Sequence, residues 1–408
     1  MKCRHCNHAL TRNFADLRFS PPSNEYVCMN ADLSAEASYP LRVLYCENCW
    51  LVQTEDFTSA ENLFSHDYAY FSSFSSSWLE HCKAYTNAMI ERFELNESSC
   101  VVEVAANDGY LLQFFQYNSI PNYGVEPTKS TADAAKEKGL EIVESFFGES
   151  LAKKLCQNNK QADLMVANNV LAHVPDINDF VKGFVTLLKP SGVATFEFPH
   201  LCALIENNQF DTIYHEHFSY LSFTFINTLF ASQGLHIFDV KKISTHGGSL
   251  RVFTQRNDSR PHKVTKNVSE LLKQESDLGV KDSMYYDGFQ TAADKVSTDF
   301  KEFILGAKKE GKKIAGYGAA AKGNTLLNYS GIDKEQIDFV VDMNPQKQGK
   351  LLPGSHISIV GIEALKENKP DIVVVFPWNL IDEISLQIDF ISEWDAKLVI
   401  ALPEIKVL

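Results

Sequence analysis

The chain has 408 residues, of which 45% are hydrophobic and 22% charged, and its formal net charge is −14. This composition is typical of a globular protein with two or three domains, and nine cysteines are too few for a secreted disulfide scaffold of this length. The acidic balance and the lack of a basic stripe argue against a nucleic acid partner. Because the N-terminus has no apolar signal segment and no stretch is long enough to span a bilayer, we expect a cytoplasmic protein without a membrane partner.

Two C-x-x-C pairs lie within the first fifty residues. Cys3 and Cys6 form the first pair, and Cys46 and Cys49 form the second. Each pair can place two thiolates on one turn, and two such turns complete a tetrahedral shell of four sulfurs for zinc. Four thiolates leave no open coordination position, so the sequence predicts structural zinc; the alternative is a set of buried free thiols. Prolines interrupt any long periodicity here, so we predict a loop-rich stretch over residues 1 to about 60, within a zinc-binding lobe of residues 1–65 that forms an N-terminal lid.

From residue 100 onward, apolar strand candidates alternate with helical stretches, as in a doubly wound parallel sheet. The strand candidates are Cys100–Val104, Tyr123–Glu126, Glu141–Glu144, Asp163–Ala167 and Val193–Phe198. The helical stretches between them are Thr131–Lys138, Leu151–Gln157 and Ile177–Leu188. Leu235–Lys242 and Ser249–Gln255 suit the antiparallel strands that often close such a sheet. We therefore predict a Rossmann-like domain over residues 66–255.

A second alternation follows a long charged helical stretch that runs to Lys309. Its strand candidates are Ile314–Gly318, Ile337–Val341, Asp371–Phe376 and Lys397–Ala401, and a helix ends at Asn328. The predicted fold class is thus α/β, with a small zinc-binding N-terminal lobe, a Rossmann-like domain, and a second Rossmann-like domain over residues 256–408. Two α/β units in one chain favour a ligand cleft between them.

The first turn of the first α/β unit is typical of a nucleotide-cofactor loop. An apolar strand ends in Asn107-Asp108-Gly109, where a glycine allows close backbone approach, and the helix that follows can direct free N–H groups at a ligand. Glu126, after the second strand, is placed to accept both hydroxyls of a ribose. The loop lacks the three glycines of a dinucleotide fingerprint, so an adenosyl group is favoured over NAD; the alternative is an α/β domain in which the acidic residues are incidental. The predicted cofactor-binding residues are Glu103, Ala105, Asn107, Asp108, Gly109, Glu126 and Asn168.

The second α/β unit also begins with a glycine-containing turn, Gly316 to Asn324. Gly316 and Gly318 allow close backbone approach, and Lys322 could meet a phosphate as a point charge. The pattern by itself favours ordinary strand–helix packing. Asp342, after the next strand, either binds a ribose or caps a helix.

Motifs along the whole chain, in the same order, carry a resemblance to a known family. They are Y-P-L-R-V-L-Y-C-E-N-C-W-L-V-Q (Tyr39–Gln53), Y-A-Y-F-S-S (Tyr68–Ser73), V-E-V-A-A-N-D-G (Val102–Gly109), N-N-V-L-A-H-V-P-D (Asn168–Asp176), F-D-T-I-Y-H-E-H-F-S-Y (Phe210–Tyr220), G-G-S-L-R-V (Gly247–Val252) and G-Y-G-A-A-A-K-G-N (Gly316–Asn324). With them the chain resembles the S-adenosylmethionine-dependent sugar C-methyltransferases, which act at C3 of nucleotide-linked 4-keto-6-deoxy sugars on the way to branched sugars. The Y-H-E-H-F-S-Y run is the most specific motif. Ala105-Ala106 departs from the glycine and small polar residue that are more usual there.

The resemblance implies chemistry at carbon, which requires a carbanion equivalent. A ketone at C4 acidifies the C3–H, so a base must remove that proton and the enolate must be stabilised; histidine titrates in the useful range. The resemblance implies that His217 is the base and that Glu216 supports an imidazole. Tyr214 would donate to the developing oxyanion or position the sugar, and His173 is a second candidate for enolate stabilisation.

The resemblance also implies a nucleotide-sugar site. Its predicted residues are Tyr68, Tyr70, Ser72, Asn169 and Lys322, the last against a diphosphate. The two tyrosines could equally pack the zinc lobe onto the sheet, and His215 is expected to be structural because alternate residues of an extended stretch face opposite ways. We thus expect a monomeric C-methyltransferase with S-adenosylmethionine and structural zinc. Two alternatives stay open: an NAD-dependent oxidoreductase of a sugar nucleotide that uses the C-terminal glycine loop, and a catalytically silent nucleotide-binding module.

Overall fold

A computed structural model of the chain describes residues 1–57 and 71–408 and shows a small N-terminal lobe and two α/β units. The strands are β1 Arg12–Ser20, β2 Val27–Cys28, β3 Tyr39–Tyr45, β4 Val52–Thr54, β5 Val101–Val104, β6 Asn122–Val125, β7 Ile142–Val143, β8 Ala162–Asn168, β9 Leu188–Pro199, β10 Ser219–Tyr220, β11 Leu235–Ile243, β12 Ser249–Arg256, β13 Ile314–Tyr317, β14 Phe339–Val341, β15 Lys350–Leu351, β16 Ile359–Val360, β17 Ile372–Val375, β18 Lys397–Ile400 and β19 Lys406–Val407. The α-helices are α1 Ser76–Phe93, α2 Leu112–Tyr117, α3 Lys129–Glu137, α4 Glu149–Gln157, α5 Ile177–Leu187, α6 Leu201–Glu206, α7 Phe223–Gln233, α8 Lys266–Asp277, α9 Phe289–Lys309, α10 Ala321–Ser330, α11 Glu363–Asn368 and α12 Ile381–Gln387. Within these residues, none of the helices combines the length and the apolar content that a bilayer span requires.

The first α/β unit is built on a seven-stranded sheet with the order β11-β12-β9-β8-β5-β6-β7. The five strands from β7 to β9 in that order are parallel, and β12 and β11 run antiparallel at one edge. Val101–Val104 is fully buried, as expected for a central strand with helices on both faces. The predicted Rossmann-like sheet is therefore confirmed. Its strand order reverses at β5, so the carboxyl ends of β5, β6 and β8 border one crevice.

The second α/β unit has a six-stranded sheet with the order β16-β14-β13-β17-β18-β19. All neighbouring strands are parallel except the pair β18 and β19. The order reverses at β13, and the glycine-containing turn after β13 leads into α10. This arrangement confirms the second α/β domain and gives it a crevice of its own at the end of β13.

The N-terminal lobe is not loop-rich as predicted, because its strands form a four-stranded antiparallel sheet, β1-β3-β4-β10. Register shifts interrupt β1 between Asn13 and Ala15 and between Asp16 and Phe19, which breaks the two-residue alternation by which a strand is recognised. Pro40 is tolerated because it lies near the start of β3, before the part that pairs with β4.

The lobe shares a core with the second α/β unit and is therefore not a separate lid. Phe14 of β1 stacks on Phe289 of α9 with a centroid distance of 4.4 Å, and Tyr45 stacks on Tyr286 at 4.5 Å. Strand β2 pairs with β15 of the second unit, and β4 pairs with β10, which follows the first sheet's β9 and α6. The lobe is thus joined by hydrogen bonds to both α/β units.

Helix α8 belongs by its packing to the first α/β unit. Val268 and Leu271 lie in the same apolar core as Phe225 and Leu229 of α7. At its end, the Glu275 carboxylate accepts hydrogen bonds from the amides that begin α7, at 2.7 and 2.6 Å. The predicted division between residues 255 and 256 would separate this helix from the sheet that it covers, whereas the packing extends the first unit through Asp277.

Candidate active site

A cavity of about 550 Å³ lies where the first unit, the second unit and the N-terminal lobe meet. Val104, Val125 and Asn168, which end β5, β6 and β8, form one side of it. Ala321 and Lys322, at the start of α10, lie on the other. The cleft predicted between the two α/β units is therefore present, and polar side chains from both units face it.

The loop after β5 curls around the buried carboxylate of Glu126. One Glu126 oxygen accepts the N–H of Asn107 at 2.9 Å, and the other accepts the N–H of Thr128 at 2.8 Å. Burial raises the pKa of Glu126 above its ordinary value. Ala105 and Asn107 have φ values of 59° and 49°, a left-handed conformation that non-glycine residues adopt only where surrounding contacts hold it.

The crevice also contains an amide that lacks a protein partner. Both side-chain polar atoms of Asn168 are buried and have no hydrogen-bond partner within the described residues. Such a group costs about 1–3 kcal/mol unless a ligand satisfies it. Phe146, Phe147 and Val170 add an apolar wall suited to a flat base. With the Glu126 carboxylate available to ribose hydroxyls, these residues fit an adenosyl ligand.

Three of the predicted cofactor residues, Glu103, Asp108 and Gly109, are not among the residues that line the cavity. Glu103 is fully buried inside the sheet, where burial raises its pKa well above the ordinary value. Asp108 turns toward Lys138, 3.3 Å away. A Cβ on Gly109 would lie 2.2 Å from Leu140, so this glycine permits helix packing rather than approach to a ligand. Ala105, Asn107, Glu126 and Asn168 do line the cavity.

Two histidines in the cavity are held by main-chain carbonyls. His173 Nδ1 lies 2.8 Å from the carbonyl oxygen of Glu216, and His217 Nδ1 lies 2.9 Å from that of Thr212. A carbonyl only accepts, so both Nδ1 atoms carry the hydrogen and both Nε2 atoms carry the lone pair. Burial lowers the pKa of His173 to about 4 and holds the pKa of His217 well below its ordinary value. Both rings are therefore neutral at pH 7, the state that a base requires.

The Y-H-E-H run forms a turn in which the N–H of His217 donates to the carbonyl of Tyr214 at 2.9 Å. The extended stretch assumed in the sequence analysis is therefore absent, and the turn instead separates the two histidines. His215 faces the N-terminal lobe, packs edge-on against Phe57 at 4.5 Å and bonds to the Pro40 carbonyl. The Tyr214 hydroxyl donates to His217 Nε2 at 2.8 Å.

Glu216 supports an imidazole through its main chain and not through its carboxylate, contrary to the prediction. Its carbonyl holds His173, while its side chain is buried outside the cavity. One carboxylate oxygen accepts both N–H groups of Asn24, at 3.0 and 3.3 Å. The other has no partner among the described residues, and burial raises the pKa of Glu216 to about 7.

The second unit contributes a cation to the cavity. Lys322 Nζ donates to Asn379 at 2.6 Å and lies 4.3 Å from the ring centroid of Trp378. Burial lowers the pKa of Lys322 to about 8, against the opposing effect of the buried Asp211. The lysine is therefore mostly charged at neutral pH and faces the same space as His217.

The glycines of the C-terminal turn are used for packing. A Cβ on Gly316 would lie 2.6 Å from Phe376, and one on Gly323 would lie 2.7 Å from the same ring. Asp342 accepts the N–H of Ala319 at 2.8 Å and so anchors the turn itself. This arrangement supports strand–helix packing and disfavours the turn as a dinucleotide loop.

The remaining substrate predictions have mixed outcomes. Tyr68 and Tyr70 lie outside the described residues. Ser72 and Asn169 line the cavity, and the Ser72 N–H donates to the Asn107 side chain at 3.0 Å. The structure adds lining residues that the sequence analysis missed: Asn24, Trp78, His246 and Lys347. Two of them stand near recognised motifs, since Trp78 follows the motif Tyr68–Ser73 and His246 directly precedes the motif that begins at Gly247.

The four N-terminal cysteines form one cluster. Cys3 and Cys49 have their sulfurs 3.5 Å apart, and Cys6 and Cys46 have theirs 3.6 Å apart. These separations are too long for disulfides and close to the about 3.8 Å edge of a tetrahedral zinc–thiolate site with bonds of about 2.3 Å. All four sulfurs lie within 4.8 Å of one another, so the donor set fits zinc.

Comparisons with models of protein families agree with this architecture. Residues 3–64 match a domain family described as zinc binding, residues 78–240 match a methyltransferase domain, and residues 244–403 match a C-methyltransferase C-terminal domain. The C-methyltransferase NovU of Streptomyces niveus is 32% identical over 407 residues, which cover 100% of this chain and 96% of that protein. The PH0226 protein of Pyrococcus horikoshii OT3 aligns with 49% of this chain and all of its own at 15% identity, with a TM-score of 0.39. An S-adenosylmethionine-dependent methyltransferase of Clostridium acetobutylicum ATCC 824 aligns with 44% of this chain and 92% of its own at 14% identity, with a TM-score of 0.36.

The sheet order, the adenosyl-sized crevice and the methyltransferase domain match define an S-adenosylmethionine-dependent methyltransferase. The identity to NovU, which extends over the whole chain, narrows this class: the chain belongs to the C-methyltransferase family. It is an enzyme with S-adenosylmethionine as its cofactor and with zinc in its four-cysteine cluster.

Proposed function

We propose that the enzyme methylates C3 of a nucleotide-linked 4-keto-6-deoxy sugar through an enolate, in the synthesis of branched deoxysugars. The observation that carries the proposal is the pair of neutral imidazoles in the cavity, each with its Nδ1–H held by a main-chain carbonyl. Methylation of oxygen or nitrogen needs only a lone pair, whereas a C–H must first lose its proton to a base. NovU, the relative of similar length, is itself named a C-methyltransferase.

His217 is the proposed base. Its Nε2 takes the proton from C3, the C–H bonding electrons form the C3–C4 double bond, and the carbonyl π electrons move to the C4 oxygen. Once Nε2 carries the proton it no longer accepts from Tyr214, so the tyrosine hydroxyl must find another acceptor, and the new enolate oxygen provides one. Glu216 is a positioning residue, whose carbonyl fixes the tautomer of His173. S-adenosylmethionine supplies the electrophilic methyl group that the carbon accepts.

The sugar nucleotide is proposed to lie between Ser72 and Asn169 on one side and Lys322 on the other. Lys322 is charged at pH 7, and Lys347 lines the same region, so a diphosphate would meet two ammonium groups. Glu126, Asn107, Ala105 and Asn168 are proposed to hold the adenosyl group. The site therefore has a cationic end for the nucleotide and a neutral centre for the sugar.

Incubation with S-adenosylmethionine and a panel of keto-sugar nucleotides, read by mass spectrometry, tests the proposal. The expected product carries one added methyl group only when the sugar has its ketone. The variant His217→Asn should also abolish exchange of the C3 hydrogen with deuterated solvent. Exchange at the parent rate in this variant would show that another group is the base.

A further inference from the structure

His246 lies in the turn between β11 and β12, and its side chain lines the cavity. Its backbone has φ 56° and ψ 24°, the left-handed conformation. For a residue with a Cβ, this conformation is unfavourable, and it persists only where surrounding contacts impose it. A strained residue at a cavity wall is therefore a candidate for a role in binding or catalysis.

Neighbouring contacts hold this turn in place. The Gln209 amide donates to the Gly247 carbonyl at 2.7 Å, and the Gly248 carbonyl accepts the N–H of His200 at 3.0 Å. A Cβ on Gly247 would lie 2.3 Å from Trp378 of the second unit, so only glycine fits there. The turn is thus clamped between the two α/β units, and the main chain decides where the imidazole points.

Ring contacts place the imidazole of His246, but its Nδ1 atom has no partner in the part of the chain that the structure describes. Its ring meets Trp78 edge-on, with a centroid distance of 5.4 Å and an interplanar angle of 81°. Its Nδ1 is buried and has no hydrogen-bond partner within the described residues. His173 and His217, in contrast, both use Nδ1 to donate to a main-chain carbonyl. Since no carbonyl among residues 1–57 and 71–408 accepts from Nδ1 of His246, a ligand oxygen is the natural acceptor for an N–H at that atom.

The charges around His246 keep its ring neutral. Burial is the main reason why the pKa of His246 falls to about 4. The nearby side chains of Lys322, His81 and His173 lower this pKa further, and the carboxylate of Glu197 acts in the opposite direction. A neutral imidazole offers one N–H donor without bringing a proton that could quench an enolate. Lys322 marks the nucleotide side of the cavity and Trp78 the methyltransferase side, so His246 faces the region between them, where the sugar is proposed to lie.

We propose that His246 donates a hydrogen bond to the ketone oxygen of the sugar and stabilises it as the enolate forms. The inference rests on the proposed function and adds a catalytic residue to it. His217 takes the C3 proton, while His246 only donates a hydrogen bond, so no net proton moves through it. The ketone oxygen is attached to the carbon next to C3, which places it beside the base.

Two variants suit the left-handed backbone and so test the ring without adding strain. His246→Gly removes the side chain, and His246→Asn returns an N–H close to the position of Nδ1. Deuterium exchange at C3 is followed in the full-length enzyme saturated with S-adenosylhomocysteine, which permits proton removal but no methyl transfer. Calorimetry with S-adenosylhomocysteine reports the adenosyl pocket separately.

We expect His246→Gly to lower the exchange rate by about 100-fold, the usual cost of losing one oxyanion donor, while the affinity for S-adenosylhomocysteine stays within about threefold. His246→Asn should recover at least about tenfold of the lost rate. If the glycine variant exchanges the C3 hydrogen within about threefold of the parent rate, the inference about His246 fails and the proposed function stands. The same holds if the asparagine variant exchanges this hydrogen no faster than the glycine variant. If both variants lose S-adenosylhomocysteine binding, the inference also fails, because the His246 ring would then support the cofactor pocket. If the parent enzyme exchanges no hydrogen of any keto-sugar nucleotide, the proposed function fails and the inference fails with it.

Discussion

Replacement of Glu216 by glutamine should stabilise the protein in a pH-dependent way. The pKa of this carboxyl rises from an ordinary 4.5 to about 7 because it is buried, and hydrogen bonds from its own main-chain N–H and from Asn24 offset only part of that rise. Each pKa unit corresponds to about 1.4 kcal/mol, so a rise from 4.5 to about 7 amounts to about 3 kcal/mol in favour of the protonated acid. Glutamine keeps an oxygen that can accept from Asn24 and carries no charge at any pH.

The sign of the effect follows from the raised pKa. Below pH 4.5 the carboxyl is protonated in both the folded and the unfolded chain, so the charge makes no difference between parent and variant. As the pH rises from 4.5 to about 7, the unfolded chain releases the proton and the folded chain retains it, so the parent loses stability. The variant should therefore be more stable by less than about 1 kcal/mol at pH 5 and by about 3 kcal/mol at pH 8.

Urea unfolding of both proteins at pH 5 and pH 8, followed by tryptophan fluorescence, measures this difference. The exposed Glu335, replaced by glutamine, is the matched control and should show no comparable pH dependence. A stability difference between parent and Glu216→Gln that is the same at both pH values would refute the assignment of a buried, proton-retaining carboxyl.

Three further predictions concern the ligands. Lys322→Met should raise the KM for the sugar nucleotide at least about tenfold. In the parent, the KM should also rise above pH about 8, because the lysine loses its proton there. Lys322→Arg should remove this rise from a plot of KM against pH, because a guanidinium stays charged. Asn168→Leu should weaken S-adenosylhomocysteine binding by roughly 5- to 150-fold, the equivalent of about 1–3 kcal/mol for a lost buried hydrogen bond, and an unchanged calorimetric affinity would contradict the assigned role. Cys46→Ser should reduce the zinc content, measured by mass spectrometry of the metal. It should also increase amide hydrogen exchange at Ser219–Tyr220, because β10 pairs with the strand that follows the second cysteine pair. Full protection of those amides in zinc-free protein would show that the metal does not stabilise the strand next to the active-site turn.

The two α/β units were predictable because their central strands are continuous apolar runs, a local signal. The antiparallel sheet of the N-terminal lobe was not, since two register shifts hide the alternation of β1 and its fourth strand comes from Ser219–Tyr220, far along the chain. The cysteine cluster could also be predicted from sequence spacing, because each C-x-x-C pair places its two thiolates on a single turn. Pairings between distant segments leave no comparable trace in a single sequence.

The site was predictable in its residue types and less so in its orientations. The sequence indicated that His173, Tyr214 and His217 belong near one cleft, and all three line the cavity. It could not show that Glu216 acts through its carbonyl, because that depends on a turn where an extended stretch was assumed. His246 was missed since a single histidine before two glycines has no distinctive spacing; its backbone conformation and its unsatisfied nitrogen became visible only in three dimensions.

The pairing of β2 with β15 and of β4 with β10 limits how the protein can be dissected. A fragment that begins after the cysteine lobe would expose the unpaired edges of Lys350–Leu351 and Ser219–Tyr220, and exposed edges invite aggregation. The same cut would remove the donors that Asn24 gives to Glu216. Recombination among relatives should therefore exchange these segments together, because each unit completes a sheet that another unit begins.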